Sequence, residues 1–188
     1  MKYEDLINSN KAEEFQLDKT YKELILPIKD PLESLDSIIE FVRIWNRRVP
    51  VGKNKDKIKE AVISLRKEFE DIKHYNLEDF EFTAENIEIV KKIFNKLSTT
   101  VLKSTGTTKL MHGMNPNLFV MWDKGICIHY GFYSNSKGYM HFMKLMQDKI
   151  QQVLKEHNKE EIIKETGVSL PKLIDEYNWL NFRTSKVV

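Results

Sequence analysis

One cysteine, Cys127, is all that this chain of 188 residues carries, so no internal disulfide can form and a reducing cytoplasm fits it. Nowhere do apolar residues run to the ~18 in a row that a membrane helix needs, and no membrane partner is expected. The opening stretch MKYEDLINSNKAEEF lacks the apolar centre of a secretory leader. No GxGxxG, Walker A or GxSxG pattern occurs, which removes the signatures of nucleotide loops and of serine hydrolases. No strand pair, hairpin signal or internal repeat is evident. CxxC and HxxxH are also missing, so the trio Asp123, Cys127 and His129 has no ligand spacing behind it. Neither a metal nor a cofactor is expected.

Acids are scarce in one place. Residues 101–150 hold six Lys/Arg against two acids, Asp123 and Asp148. Elsewhere the balance is even or acidic: 8 against 10 in residues 1–50, 10 against 10 in 51–100, and 6 against 6 in 151–188. A local basic excess suits an anionic partner, and DNA is the expected one. The competing reading is a core segment that happens to be short of acids.

What the chain does have is helical periodicity. With 41% apolar and 31% charged residues it can bury a core and stay globular. Residues 1–29 read as short helical pieces, an N-terminal arm to a core of 30–188. Asp30-Pro31-Leu32-Glu33 marks a helix start, followed by Leu35, Ile38, Ile39, Val42 and Trp45 on one face. Ile58 to His74 carries a second stripe. Thr83 caps a third helix bearing Ile87, Val90, Ile93, Phe94 and Leu97. The longest helix is expected over about Tyr139 to His157. A short one follows, closed by Gly167, and Ser169-Leu170-Pro171 opens the last, which frays from Arg183. The expectation is an all-α, single compact domain of about seven to nine helices.

The least ordinary stretch is Lys103–Gly131, KSTGTTKLMHGMNPNLFVMWDKGICIHYG. Thr105-Gly106-Thr107-Thr108 reads as a turn, with a helix beginning near Thr107 and Lys109 at its start. A helix start disfavours the charged form of a lysine, and burial disfavours it further. A lysine so perturbed can act as an amine nucleophile. Asp123 closes the apolar run Leu118–Trp122 and can cap the next helix, orient Lys109 or stabilise a cationic transition state. Helix starts at Thr107 and after Asp123 offer amides to phosphate. His112, three residues after Lys109, can share its face. Trp122 reads as a core anchor beside a pocket. Arg47, at the end of the first long helix, is either solvated or part of an anion clamp. Lys137, in the polar loop 132–138, adds to the basic set.

At these residues the segment resembles the core of the helix-hairpin-helix DNA glycosylases. The resemblance implies that Gly106 is the hairpin glycine, Lys109 the nucleophilic lysine and Asp123 the aspartate that assists departure of the base. It also implies a base flipped into a pocket near Phe119, Trp122 and His112. The segment is similar as well to a group of uncharacterised microbial proteins sharing K-x-x-H…N-P-x-x-F-V-M-W-D, matched by Lys109, His112, Asn115, Pro116, Phe119, Trp122 and Asp123. Two functions from different classes stay open: base excision on damaged DNA, and a non-catalytic helical module that binds nucleic acid or protein.

Overall fold

Apolar stripes at helical spacing decide where the long helices lie, and polar caps decide where they begin. The computed structural model describes residues 1–16 and 18–183, and among these every regular element is helical. The expected fraying beyond Arg183 lies outside the described residues.

The arm holds α1 (Tyr3–Asn10), α2 (Glu13–Gln16) and α3 (Lys19–Leu24). Then come α4 (Leu35–Trp45), α5 (Lys55–Ile63), α6 (Arg66–Ile72), α7 (Ala84–Ser98), α8 (Lys103–Met114) and α9 (Lys124–His129). The chain continues through α10 (Ser136–Leu154), α11 (Lys159–Thr166) and α12 (Leu170–Phe182). The all-α reading holds, but the helices outnumber the seven to nine expected. One reason is that the arm folds as three short pieces. Another is that the stripe from Ile58 to His74 is broken between Ile63 and Arg66. There the Ser64 hydroxyl bonds back to the Ala61 carbonyl at 2.8 Å, which competes with the helix ladder. Leu65 turns into the core while Ile63 stays 62% exposed.

The caps follow the sequence closely. Thr83 Oγ1 accepts from the Asn86 amide, Asn135 Oδ1 from the Gly138 amide, and Asn158 Oδ1 from the Glu161 amide. Gly167 ends α11 in the left-handed region at φ 72°, where a side chain would be strained. Asp30 does not begin α4. Its carboxylate instead holds a turn through the amides of Leu32 and Glu33, and α4 starts at Leu35.

The packing brings α4 and α7 against α8, α10 against α7, and α1 and α9 against α12. Two glycines explain the first contact. Gly106 and Gly113, seven residues apart, lie on one face of α8. A Cβ at Gly113 would sit 2.5 Å from Ile38 Cγ2, and one at Gly106 would sit 2.7 Å from Asn46 Nδ2. Their missing side chains let α4 press onto α8, and the C-terminal end of α4 thereby reaches Lys109.

The run Leu118–Trp122 is outside any helix and almost fully buried, yet it has no strand partner. Buried backbone polar groups need partners, and here side chains supply several. His112 Nδ1 donates to the Phe119 carbonyl at 2.7 Å. The Tyr139 hydroxyl donates to the Val120 carbonyl at 2.9 Å. Thr108 Oγ1 accepts from the Trp122 amide at 3.3 Å. Ahead of the run, Asn115 Nδ2 reaches the carbonyls of Ile72, Lys73 and Tyr75 at 3.3–3.4 Å, covering the end of α6.

Gly138 tolerates nothing larger than hydrogen. A Cβ at Gly138, in the first turn of α10, would meet the Tyr133 carbonyl oxygen at 2.0 Å. The obstacle is backbone and cannot rotate away. Gly138→Ala should therefore cost about 1–3 kcal/mol by overpacking, read as a lower urea midpoint with an unchanged slope.

Candidate functional site

The stretch expected to be a turn at residues 105–108 is the first half of α8, which starts at Lys103. Lys103 itself takes a left-handed φ of 52°. Glycine and three threonines are poor helix formers, but burial of the helix on two sides overrides propensity. Gly106 thus lies inside the helix, and Lys109 is a mid-helix residue two turns from its start. Of the two causes the sequence suggested for perturbing this lysine, the helix start does not apply and burial does.

Lys109 projects toward the last carbonyls of α4. Its Nζ donates to the Trp45 carbonyl at 2.6 Å and lies 5.8 Å from the centre of the Trp45 ring. The C-terminal carbonyls of a helix have no internal partner and carry the negative end of its dipole, so a cation fits there. Burial dominates nonetheless, holding the Lys109 amine below the usual lysine range. The charges of Asp175 and Asp123 oppose this shift, and that of Lys172 adds to it.

Asp123 lies across the same space. Its Oδ1 caps α9 by accepting from the Ile126 amide at 2.9 Å, as its place before a helix predicts. Lys109 and Asp123 line one cavity of about 310 Å³, and it is walled by aromatic rings. All three tryptophans of the chain, Trp45, Trp122 and Trp179, face it, as does Phe15. Its remaining polar lining is Asp18 and Asp175. Trp122 is held by its Nε1, which donates to Ser104 Oγ at 3.0 Å, and by edge contacts with Phe94 and Tyr139. Trp179 packs edge-on against Phe15 and carries the Arg183 guanidinium on its ring at 3.6 Å.

Behind the wall sits a second lysine. Lys172 is 1% exposed, and its ammonium lies 4.8–5.0 Å from the ring centres of Phe15, Tyr21 and Trp45. Asp175 Oδ2 is 3.5 Å from it and Glu176 Oε1 3.3 Å. Glu176 also accepts from Asn10 Nδ2 at 3.0 Å. Burial pushes the Asp175 carboxyl up to about 6, with Lys172 and Lys109 pulling the other way.

The other sequence-derived residues go elsewhere. His112 is fully buried under α3: its Nε2 bonds the Tyr21 hydroxyl at 2.8 Å, and its Nδ1 is spent on Phe119. It does not line the cavity, and burial pushes its pKa down to about 3, so it is a neutral core group. Phe119 is a core residue as well. Gly106 faces Asn46, and Thr107 is buried with no partner for its hydroxyl among the described residues. Arg47 borders a separate depression with Arg43 and Val51, and Lys137 borders another groove with Phe82 and His141. Cys127 is buried, which raises its thiol to about 11 and keeps it from acting as a nucleophile. Among the described residues no group of three or more His, Cys, Asp and Glu is arranged to hold a metal ion.

No known protein family, curated protein or solved structure matches this chain. The site has to be read from its own geometry.

Phe15, Asp18, Trp45, Asp175 and Trp179 were not among the site residues read from the sequence. One signal for part of this set was available. Lys172, Asp175, Glu176 and Trp179 fall at i, i+3, i+4 and i+7 on α12, a stripe of charge among apolar neighbours. Such a stripe on a helix with few exposed positions points to a buried polar site.

Proposed function

We propose that the protein acts on DNA as a base-excision enzyme of the glycosylase/lyase type. The observation that carries this reading is the meeting of Lys109 and Asp123 in one aromatic-walled cavity. At about 310 Å³ the cavity is at the small end of ligand pockets, ~300–1,000 Å³, which suits a single base. A nucleotide swung out of the duplex would place its base among the tryptophan rings. The Lys109 amine would attack the sugar carbon, with the Asp123 carboxylate facing the positive charge that develops there. The cationic surplus of residues 101–150 would meet the phosphates.

The test is borohydride trapping of the full chain on duplexes carrying a panel of damaged bases, with the attached residue located by peptide mass spectrometry. The expected product is a covalent adduct at Lys109. Absence of both trapping and base release across the panel would overturn the reading.

The second reading is a non-catalytic nucleic-acid-binding module. It is favoured by the structural work that both residues do: Lys109 covers the end of α4 and Asp123 caps α9. For either reading the logarithm of DNA affinity should fall linearly with the logarithm of salt, by about 0.9 per phosphate neutralised. A slope near zero would remove nucleic acid as the partner. Asp123→Asn separates the two readings, because it should leave the slope unchanged but sharply reduce base release only in an enzyme.

A further inference from the structure

Residues 41–55 hold Arg43, Arg47, Arg48, Lys53 and Lys55 and no acid, a denser surplus than that of residues 101–150. Most of them lie on the turn between α4 and α5. Arg43 is engaged twice by Glu40, at 2.5 and 2.7 Å, and Lys55 by Asp36 at 2.7 Å. Arg47, Arg48 and Lys53 are exposed, and no acid pairs with them among the described residues. Arg47 and Lys53 line one depression, with Arg43 on its wall. The turn that carries them is pinned. Val51 is fully buried, the Val49 amide donates to the Asn46 carbonyl at 2.9 Å, and Asn54 Nδ2 donates to the Pro50 carbonyl at 2.9 Å. The negative end of the α4 dipole would oppose an anion here. It is covered, because Lys109 takes the Trp45 carbonyl and Val49 the Asn46 carbonyl.

The lysines of residues 101–150 are spread by comparison. Lys109 lines the cavity, and Lys144 pairs with Asp148 at 2.8 Å. Lys137 borders a groove that shares no lining residue with the cavity. The α4–α5 turn is instead continuous with the cavity wall: Ile44 lines the depression and Trp45, the next residue, lines the cavity. Arg47 follows Trp45 by two residues, so their Cα atoms lie within about 7.6 Å. We propose that Arg47 and Lys53 grip the phosphates of the DNA strand whose base enters the cavity. Duplex DNA as the partner rests on the glycosylase reading. One strand carries a phosphate every ~3.4 Å of helix axis. A strand with one base among the tryptophans therefore brings phosphates within reach of a cation two residues from that wall. The planar guanidinium of Arg47 offers paired N–H donors to phosphate oxygens, and Lys53 adds a second charge.

The grip has a signature in salt. Each phosphate neutralised adds about 0.9 to the slope of log affinity against log salt. Loss of both cations should lower the slope by about 1.8, and affinity near 0.1 M salt on the order of 60-fold. Neither side chain has an acid partner among the described residues, so their removal breaks no ion pair.

The experiment is fluorescence anisotropy of a labelled, undamaged duplex with the full chain, across about 0.05–0.3 M salt. It needs neither a lesion nor turnover. Arg47→Ala/Lys53→Ala should lose about 1.8 of the slope. Lys137→Ala/Lys144→Ala, which removes the same charge from the other groove, should keep the native slope. Arg47→Lys/Lys53→Arg keeps both charges and should keep the slope too, which separates loss of charge from loss of fold. A native slope in Arg47→Ala/Lys53→Ala would overturn the grip. So would a drop shared by the charge-keeping pair, or one confined to Lys137→Ala/Lys144→Ala. Trapping at Lys109 with an unchanged slope in Arg47→Ala/Lys53→Ala would keep the glycosylase and remove the grip. The expected drop with neither trapping nor base release across the lesion panel would keep the grip and leave a binding module. No binding of the native chain to DNA would remove both.

Discussion

Lys109→Ala should abolish covalent trapping on DNA, by at least about 10³-fold, while DNA affinity changes by no more than a few fold. The nucleophile is lost outright, and a step that depends on it has no substitute in the cavity. The other lysine nearby, Lys172, is enclosed by three rings and two carboxylates and cannot reach a ligand. Affinity should survive because phosphate contacts on the exposed surface, not one half-buried amine, supply most of it. Lys109→Arg should fail as completely. A guanidinium could still cover the Trp45 carbonyl, but it stays protonated and has no free lone pair. Alanine also uncovers the end of α4, at a cost of about 1–2 kcal/mol, so thermal stability should be measured beside trapping. Trapping that persists in both variants would place the nucleophile on another residue.

The second large effect is on stability in acid. His112 titrates near 3 in the folded chain against 6.5 when unfolded. Its folded pKa is depressed, so the stability it contributes is complete above about 6.5 and is lost as pH falls toward 3. The whole loss is on the order of 5 kcal/mol. Asp175 acts with the opposite sign. Its folded pKa is raised to about 6 from 3.8, so the folded state gains a proton, and stability, as pH falls through that window. Between about pH 6 and 4 the two contributions cancel. Urea denaturation of the native chain should thus show little pH dependence from this pair in that range. In Asp175→Asn the His112 contribution stands alone, and stability should fall by about 1.4 kcal/mol per pH unit from about 6.5 downward. Parallel pH profiles for native chain and variant would refute the assignment.

Much of this architecture could be read from the sequence, for identifiable reasons. The stripes of α4, α7 and α10 have strong periodicity, and Thr83, Asp123 and Ser169 stand where a cap belongs. Lys109, Trp122 and Asp123 stand out in the sequence, which leaves open whether Lys109 and Asp123 share a pocket; the structure places all three on one cavity. Misreadings came where tertiary contacts outweighed local preference. Residues 105–108 have turn composition, yet they are helical because Gly106 and Gly113 make room for α4. Phe119 and His112 looked like parts of a site, and Asn115 matched only a shared pattern. Their work is to cover the end of α6, fill the core and satisfy the backbone of a buried non-helical run. A pattern read along the chain does not distinguish a residue that faces a cavity from one that keeps its neighbours in place. The α12 stripe marks Asp175 and Trp179 as buried, but packing between distant parts of the chain is what joins them to Lys109.

That packing has a consequence for the protein during its synthesis. Phe15 and Asp18 leave the ribosome about 160 residues ahead of Asp175 and Trp179. Until α12 docks, Lys109 has neither the apolar enclosure that perturbs its amine nor the acid opposite it. A nascent chain therefore carries an ordinary lysine, and its amine is perturbed only when α12 closes over it.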